Sequence, residues 1–190
     1  MSKSEAIVNI VNVVVSVTLK HKLDLSAIVK AFPNVEYNPE QFPGAVFRLK
    51  RPKSVILIFG TGKMVCVGAK SEKQARSAVR AVINSLKKAG ILMAGKPKVT
   101  IQNIVAQANL SGTIDLVELC ELERRSGGRI IYEPEQFPAI IYRMNEPRAV
   151  ILIFASGKLV CTGIKREKDV RIAVDKLLCK LEDHNIISIK

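Results

Sequence analysis

The chain has 190 residues, 48% of them hydrophobic and none of them Trp, and its 30 Lys and Arg against 17 Asp and Glu leave a formal charge of +13. So much apolar content excludes a disordered polycation and supports a packed core without disulfide or metal staples. The charge points to a polyanionic partner, and nucleic acid fits better than a membrane, because no stretch approaches the roughly 18 uninterrupted apolar residues that a spanning helix needs.

In chain order, Ala6 to Leu19 (AIVNIVNVVVSVTL) reads as a long strand. Asn9, Asn12, Ser16 and Thr18 interrupt it, and it lacks the small-residue cleavage pattern of a leader. A short helix follows, then the Pro-bracketed loop PEQFP at Pro39 to Pro43. In Val55 to Phe59 every residue is apolar, so alternation puts Val55, Leu57 and Phe59 on one face and Ile56 and Ile58 on the other. After a hairpin turn at Thr61-Gly62, the strand Met64 to Val67 divides in the same way, Val65 and Val67 against Met64 and Cys66. Ser71 to Ala89 is a helix. Ser71 and Gln74 have capping-box spacing, Gly90 is a stop, and Ala75, Ala78, Val79, Val82, Ile83 and Leu86 form one apolar stripe.

Then the pattern repeats. Residues 37 to 70 align without a gap on residues 132 to 165 at an offset of 95, with 19 of 34 positions identical, including a second PEQFP at Pro134 to Pro138. Upstream the offset is 91, Asn12 pairing with Asn103 and Asp24 with Asp115. The second copy therefore carries about four extra residues, which a loop near Ser126-Gly127-Gly128 absorbs most cheaply. Val170, Ala173, Val174, Leu177, Leu178 and Leu181 repeat the helical stripe. The expected organisation is two fused half-domains, 1–94 and 95–190, related by a pseudo-two-fold axis, with a junction around Ala94 to Lys98.

A strand with two apolar faces usually lies in a sheet covered on both sides, yet each half offers one long amphipathic helix, enough for one side. The other face is a candidate contact surface, with burial of one such face against another as the alternative. Matched cations surround it: Lys63 and Lys158, Lys70 and Lys165, Arg48 and Arg143. An apolar floor with a cationic rim suits a duplex minor groove, which has sugars and base edges inside and phosphates along both edges. Four of the six Phe residues are also repeat-matched. Phe42 and Phe137 sit in the Pro-bracketed loops, and Phe59 and Phe154 end apolar strands, positions from which they either plug the core or wedge between base steps.

At these residues the chain resembles the TATA-binding protein family over nearly its whole length, through EYNPEQFP, LIFGTGKMVC, IQNIVA, YEPEQFP, IYRM and LIFASGKLVCTG. Its short amino-terminal segment is similar to that of archaeal members. The resemblance implies an α+β fold: a saddle-shaped, curved antiparallel sheet with helices on the convex face, built from two pseudo-symmetric repeats. It implies a general transcription initiation factor that binds the TATA box of promoter DNA in the minor groove and bends it. In that reading Phe42, Phe59, Phe137 and Phe154 are the inserted residues. Asn12 and Asn103 hydrogen-bond base edges, and Val14, Val105, Leu57, Leu152, Val65, Val160, Val67 and Thr162 meet the groove floor. Arg48, Arg143, Lys63, Lys158, Lys70, Lys165, Thr61 and Ser156 contact the phosphate backbone. Glu133, Glu135 and Gln136 meet a transcription factor B homologue, and RNA polymerase is reached indirectly. No cofactor, metal or membrane is implied. The location is cytoplasmic and nucleoid-associated in an archaeon, nuclear in a eukaryote.

Three positions depart from the family pattern. Val67 stands where the second copy has Thr162, Val11 where it has Gln102, and Ala139 where a Gly usually follows the proline. Charge is uneven too, with 15 basic and 5 acidic side chains in residues 1–95 against 15 and 12 in residues 96–190.

Chemistry has weak claims here. Gly60 to Lys63 (GTGK) faintly resembles a phosphate loop, but its copy reads ASGK and a strand follows it, so the helix N-terminus such a loop needs is missing. Cys66, Cys120, Cys161 and Cys179 show no C-x-x-C spacing, and of His21 and His184 only His184 is near one of them, five residues after Cys179, so they are read as small core residues. A non-promoter nucleic-acid binder, or a module that dimerises through its sheet face, is the alternative, and self-association off DNA stays open.

Overall fold

The computed structural model describes residues 6–93 and 95–189. Ala94, at the expected junction, lies outside them. Two compact units emerge, one of residues 12–102 and one of 6–11 with 103–189. The dividing lines fall within the two long strands β1 (Ile7–Thr18) and β6 (Lys98–Asn109), so each unit includes the first residues of the strand that opens the other repeat.

The first-repeat unit continues from β1 through α1 (Leu25–Ala31), β2 (Val35–Glu36), β3 (Gly44–Lys50), β4 (Lys53–Phe59), β5 (Lys63–Ala69) and α2 (Glu72–Lys88). Its strands pair antiparallel in the order β2-β3-β4-β5-β1. In the second-repeat unit, β6 leads into β7 (Gly112–Ile114), α3 (Leu116–Arg125), β8 (Arg129–Ile131), β9 (Ala139–Met144), β10 (Ala149–Phe154), β11 (Lys158–Ile164), α4 (Glu167–Asp183) and β12 (Ile187–Ile189). The order there is β6-β11-β10-β9-β8, and β7 and β12 form a separate small pair. This is the α+β, antiparallel arrangement that the family resemblance implies.

The predicted stripes are the buried ones. Ala75, Ala78, Val79, Val82, Ile83 and Leu86 of α2 pack on the side of the sheet that carries Ile56, Ile58, Met64 and Cys66, all at or near zero exposure. Val170, Ala173, Val174, Leu177, Leu178 and Leu181 of α4 do the same over Ile151, Ile153, Leu159 and Cys161. Each large aliphatic side chain so buried contributes about 1.5–3 kcal/mol, the main force holding helix to sheet.

Capping differs between the copies. Ser71 Oγ accepts from Gln74 N, while the Gln74 side chain reaches back to Lys70 N rather than to the cap residue itself. The matching position before α4 is Arg166, which makes no side-chain cap and pairs instead with Asp169 at 2.7 Å. The extra residues of the second copy also went elsewhere than expected. α3 has 10 residues and α1 has 7, and the connection after each is three residues long, so the insertion is nearly one added helical turn and not a longer loop.

That turn supports a packing difference. In the first-repeat unit, Phe32 and Phe47 stack with ring centroids 5.3 Å apart. The corresponding positions in the second are Glu123 and Tyr142, with Lys180 ion-paired to Glu123 and 5.8 Å from the Tyr142 ring centre. Glu123 is 2% exposed, and Gly128 lies so close to its carboxylate that any Cβ there would collide with it.

Candidate nucleic-acid interface

Opposite the helices, each unit presents a sheet face of half-buried apolar side chains. In the first-repeat unit Val14, Leu57, Val65 and Val67 share it with Val46 and Val55, the register pairing Val55 with Val67 and Leu57 with both Val46 and Val65. Val105, Leu152, Val160 and Thr162 share the matching face with Ile141 and Val150. The structure thus brings every predicted floor residue of each repeat onto one surface. It places Val55 there as the alternation of β4 predicts and adds Val46, Ile141 and Val150, whose alternation with buried neighbours was the available signal.

The two asparagines are fixed by an irregularity that the sequence reading overlooked. Between β1 and β5 the register runs Val13 to Ala69 and then Val15 to Cys66, so β5 holds one extra residue. This bulge centres on Gly68, at φ +85°, a conformation that glycine adopts without penalty. The bulge leaves its N–H out of the ladder, and Asn12 Oδ1 accepts it at 2.7 Å. Because that donor needs an oxygen, the amide orientation is set, and the Asn12 NH2 is the end left for the open face. Gly163, at φ +78°, bulges β11 against β6 in the same way and donates to Asn103 Oδ1 at 2.8 Å. An isolated Gly in each strand copy was the sequence signal for both bulges.

The four repeat-matched phenylalanines lie in two pairs. Phe42 lies 5.7 Å from Phe59 and Phe137 6.0 Å from Phe154, both edge-to-face. All four keep solvent exposure, and Phe137 is 38% exposed. Gly44 lies beneath the first pair, where a Cβ would come within 2.8 Å of Phe42 and 3.1 Å of Phe59. Ala139 occupies that place under the second pair. Beside each pair a turn projects the rim residues: Gly62 N donates to Phe59 O and Gly157 N to Phe154 O, leaving Thr61, Lys63, Ser156 and Lys158 exposed. Gly62 is required twice over, by its φ of +86° and by His21 O, with which any Cβ would collide.

Lys70, Lys165, Arg48 and Arg143 are exposed as well. Arg48 pairs with Glu36 at 3.3 Å, a surface contact that an anionic ligand displaces cheaply, and the residue matching Glu36 is Ile131. Glu133, Glu135 and Gln136 are exposed in the loop between β8 and β9, which closes through Gln136 N and Phe137 N on Glu133 O, both at 2.9 Å.

The cysteines need one correction. Cys66, Cys120 and Cys161 are buried, but Cys179 is exposed, on the outer side of α4 where α2 has Asn84. Burial raises the Cys66 thiol to about 11 and the Cys161 thiol to about 12, so neither is a nucleophile at neutral pH. Among the described residues no cluster of three His, Cys, Asp or Glu could hold a metal, and no helix is long and apolar enough to cross a membrane.

Fold and face together define a two-repeat α+β protein whose open sheet surfaces carry apolar floors, donor amides and basic rims. The family model for transcription factor TFIID, or TATA-binding protein, matches residues 7–89 and 98–184, and the chain belongs to that family, whose members are DNA-binding transcription factors and not enzymes. The TATA-box-binding protein of Sulfolobus acidocaldarius is 53% identical over 177 residues, covering 93% of this chain and 88% of that protein. That of Pyrodictium occultum is 52% identical, covering 92% and 85%. In three dimensions the Methanococcus jannaschii TATA-binding protein superposes with a TM-score of 0.77 at 44% identity, over 93% of this chain and 98% of that one.

Proposed function

We propose that this chain is a transcription initiation factor that binds TATA-containing promoter DNA through the minor groove, one half-site per repeat. What supports it most is the pair of asparagines whose oxygens are consumed by the Gly68 and Gly163 bulges, leaving N–H donors on an apolar face. At A·T pairs the minor groove offers only acceptors, which such donors satisfy. A G·C pair would press its amino group against the apolar floor and leave a donor unpaired. Each Phe pair wedges into a base step and opens it, and the rim Lys, Arg, Thr61 and Ser156 hold the phosphates of the bent duplex. The exposed Glu133, Glu135 and Gln136 loop then takes a basic surface of a transcription factor B homologue, through which RNA polymerase is recruited.

The test is energy transfer between dyes at the two ends of a short duplex with a central TATAAA-like site. Wild type brings the ends together, a Phe59→Ala, Phe154→Ala double variant does so weakly, and a G·C-rich duplex does not respond. Equal bending of both duplexes, or binding without bending, would sink this mechanism.

A further inference from the structure

The two asparagine sites differ in one atom that matters for reading bases. Asn103 Nδ2 donates to Thr162 Oγ1 at 3.1 Å, and the same hydroxyl lies 3.4 Å from Asn103 Oδ1. At the matching place in the first-repeat unit stands Val67, and Asn12 makes one side-chain hydrogen bond among the described residues, the one it accepts from Gly68. Both sites are otherwise alike: a bulge glycine behind the amide and a valine, Val55 or Val150, across the ladder.

We propose that Val67 and Thr162 make the two half-sites unequal in base tolerance, so that the first-repeat unit accepts only A·T pairs at its asparagine step while the second-repeat unit tolerates a G·C pair there. The proposal rests on the promoter-binding reading above. A guanine amino group in the minor groove is a donor that must find an acceptor. A threonine hydroxyl has two lone pairs and one proton. While one lone pair receives Asn103 Nδ2, the other is available to the guanine amino group, and the hydroxyl proton can turn toward Asn103 Oδ1. The first-repeat site has no such atom: the Asn12 oxygen is turned toward the bulge and Val67 presents only methyl groups. A G·C pair there buries an unsatisfied donor, a loss of roughly 5- to 30-fold in affinity. Because the two units present closely similar faces, either can take either half-site, and this inequality becomes a rule of orientation: the second-repeat unit goes to the half-site that contains the G·C pair.

Orientation can be read with a fluorescent donor on Cys179, the exposed thiol of the second-repeat unit, and an acceptor on one or the other end of the duplex. The duplexes carry a symmetric A·T site and a series in which a single G·C pair is moved through one half. At one or more positions in the series, wild type is expected to favour the acceptor at the G·C-containing end by roughly 5-fold or more. Val67→Thr should abolish that bias while tightening binding to the same duplex. Thr162→Val should abolish it while weakening binding, each protein's affinity for the G·C-containing duplex being taken relative to its own affinity for the all-A·T duplex. An unbiased wild type at every position, or a bias that survives Val67→Thr, overturns the proposal alone. Failure to bind the all-A·T duplex overturns the promoter reading and this proposal together.

Discussion

Asn12 Oδ1 sits 2.7 Å from the backbone N–H of Gly68, 56 residues further along the chain, and Asn103 Oδ1 sits 2.8 Å from that of Gly163. One side chain thereby does two jobs, satisfying a donor that the bulge would strand and aiming its own NH2 outward. The jobs are separable. Asn12→Asp keeps an oxygen for Gly68 but replaces the outward donors with a negatively charged acceptor. It is expected to fold with a thermal midpoint within a few degrees of wild type and to lose more than 10-fold in duplex affinity, the cost of one unpaired polar contact or more. Gly68→Ala should do the reverse first, destabilising the fold by about 1–2 kcal/mol because φ is positive there. Calorimetry and a titration on the same samples separate the two.

The Phe pairs make a second expectation. Gly44→Ala would put a Cβ 2.8 Å from a Phe42 ring carbon, so the rings must give way, whereas the second unit already accommodates Ala139 with a wider centroid spacing, 6.0 Å against 5.7 Å. Overpacking of this size costs about 1–3 kcal/mol. Ala139→Gly, which only removes a methyl group, should leave the thermal midpoint close to wild type, and comparing the two midpoints checks the asymmetry.

The Glu123–Lys180 pair predicts both a mutational and a pH response. Lys180→Met leaves Glu123, 2% exposed, without a counter-charge, at a cost of about 3–5 kcal/mol by denaturant unfolding. Glu123→Phe with Lys180→Met, approaching the Phe32 and Phe47 packing of the first unit, should recover most of that loss. Burial works against the Lys180 charge, but the Glu123 hydrogen bond and the Tyr142 and Glu123 charges outweigh it, so its pKa is raised above 10.5. Stability from this group is therefore fully present below pH 10.5 and is lost as pH rises through the higher folded value. A Lys180→Met background should remove that part of the alkaline loss.

Much of this was legible because the two copies check each other. The stripes of α2 and α4 and the alternating faces of β4 and β5 follow from period alone, and the repeated PEQFP marks Phe42 and Phe137 as matched positions. What escaped was non-local. Helix periodicity does not reveal that α3 gains a turn, since its added residues Glu123 to Arg125 are also compatible with a polar loop. A single glycine in VGAK does not announce that Asn12 will fill its N–H, because the two meet only through strand pairing. Cys179 was assigned to the core by residue type, while its position on the outer side of α4 decides its exposure.

The thiols test that last distinction. Cys66 and Cys161 are fully buried beneath the helices, and Cys179 is exposed. In native protein a disulfide reagent at neutral pH is expected to titrate Cys179 rapidly and to leave Cys66, Cys120 and Cys161 until the protein is unfolded. The buried thiols also add to the alkaline limit. An unfolded thiol ionises near pH 9.0, while burial holds Cys66 to about 11 and Cys161 to about 12, so their folded state keeps protons that the unfolded state releases. Stability from them is complete below pH 9 and falls across pH 9–12. Cys161→Ala should flatten that fall, though it starts from a lower stability at pH 7 because it opens a small cavity. An unfolding series from pH 7 to pH 11 on both proteins measures the two effects together: the curves should converge as pH rises, and parallel curves would show that the thiol remains ionisable in the fold.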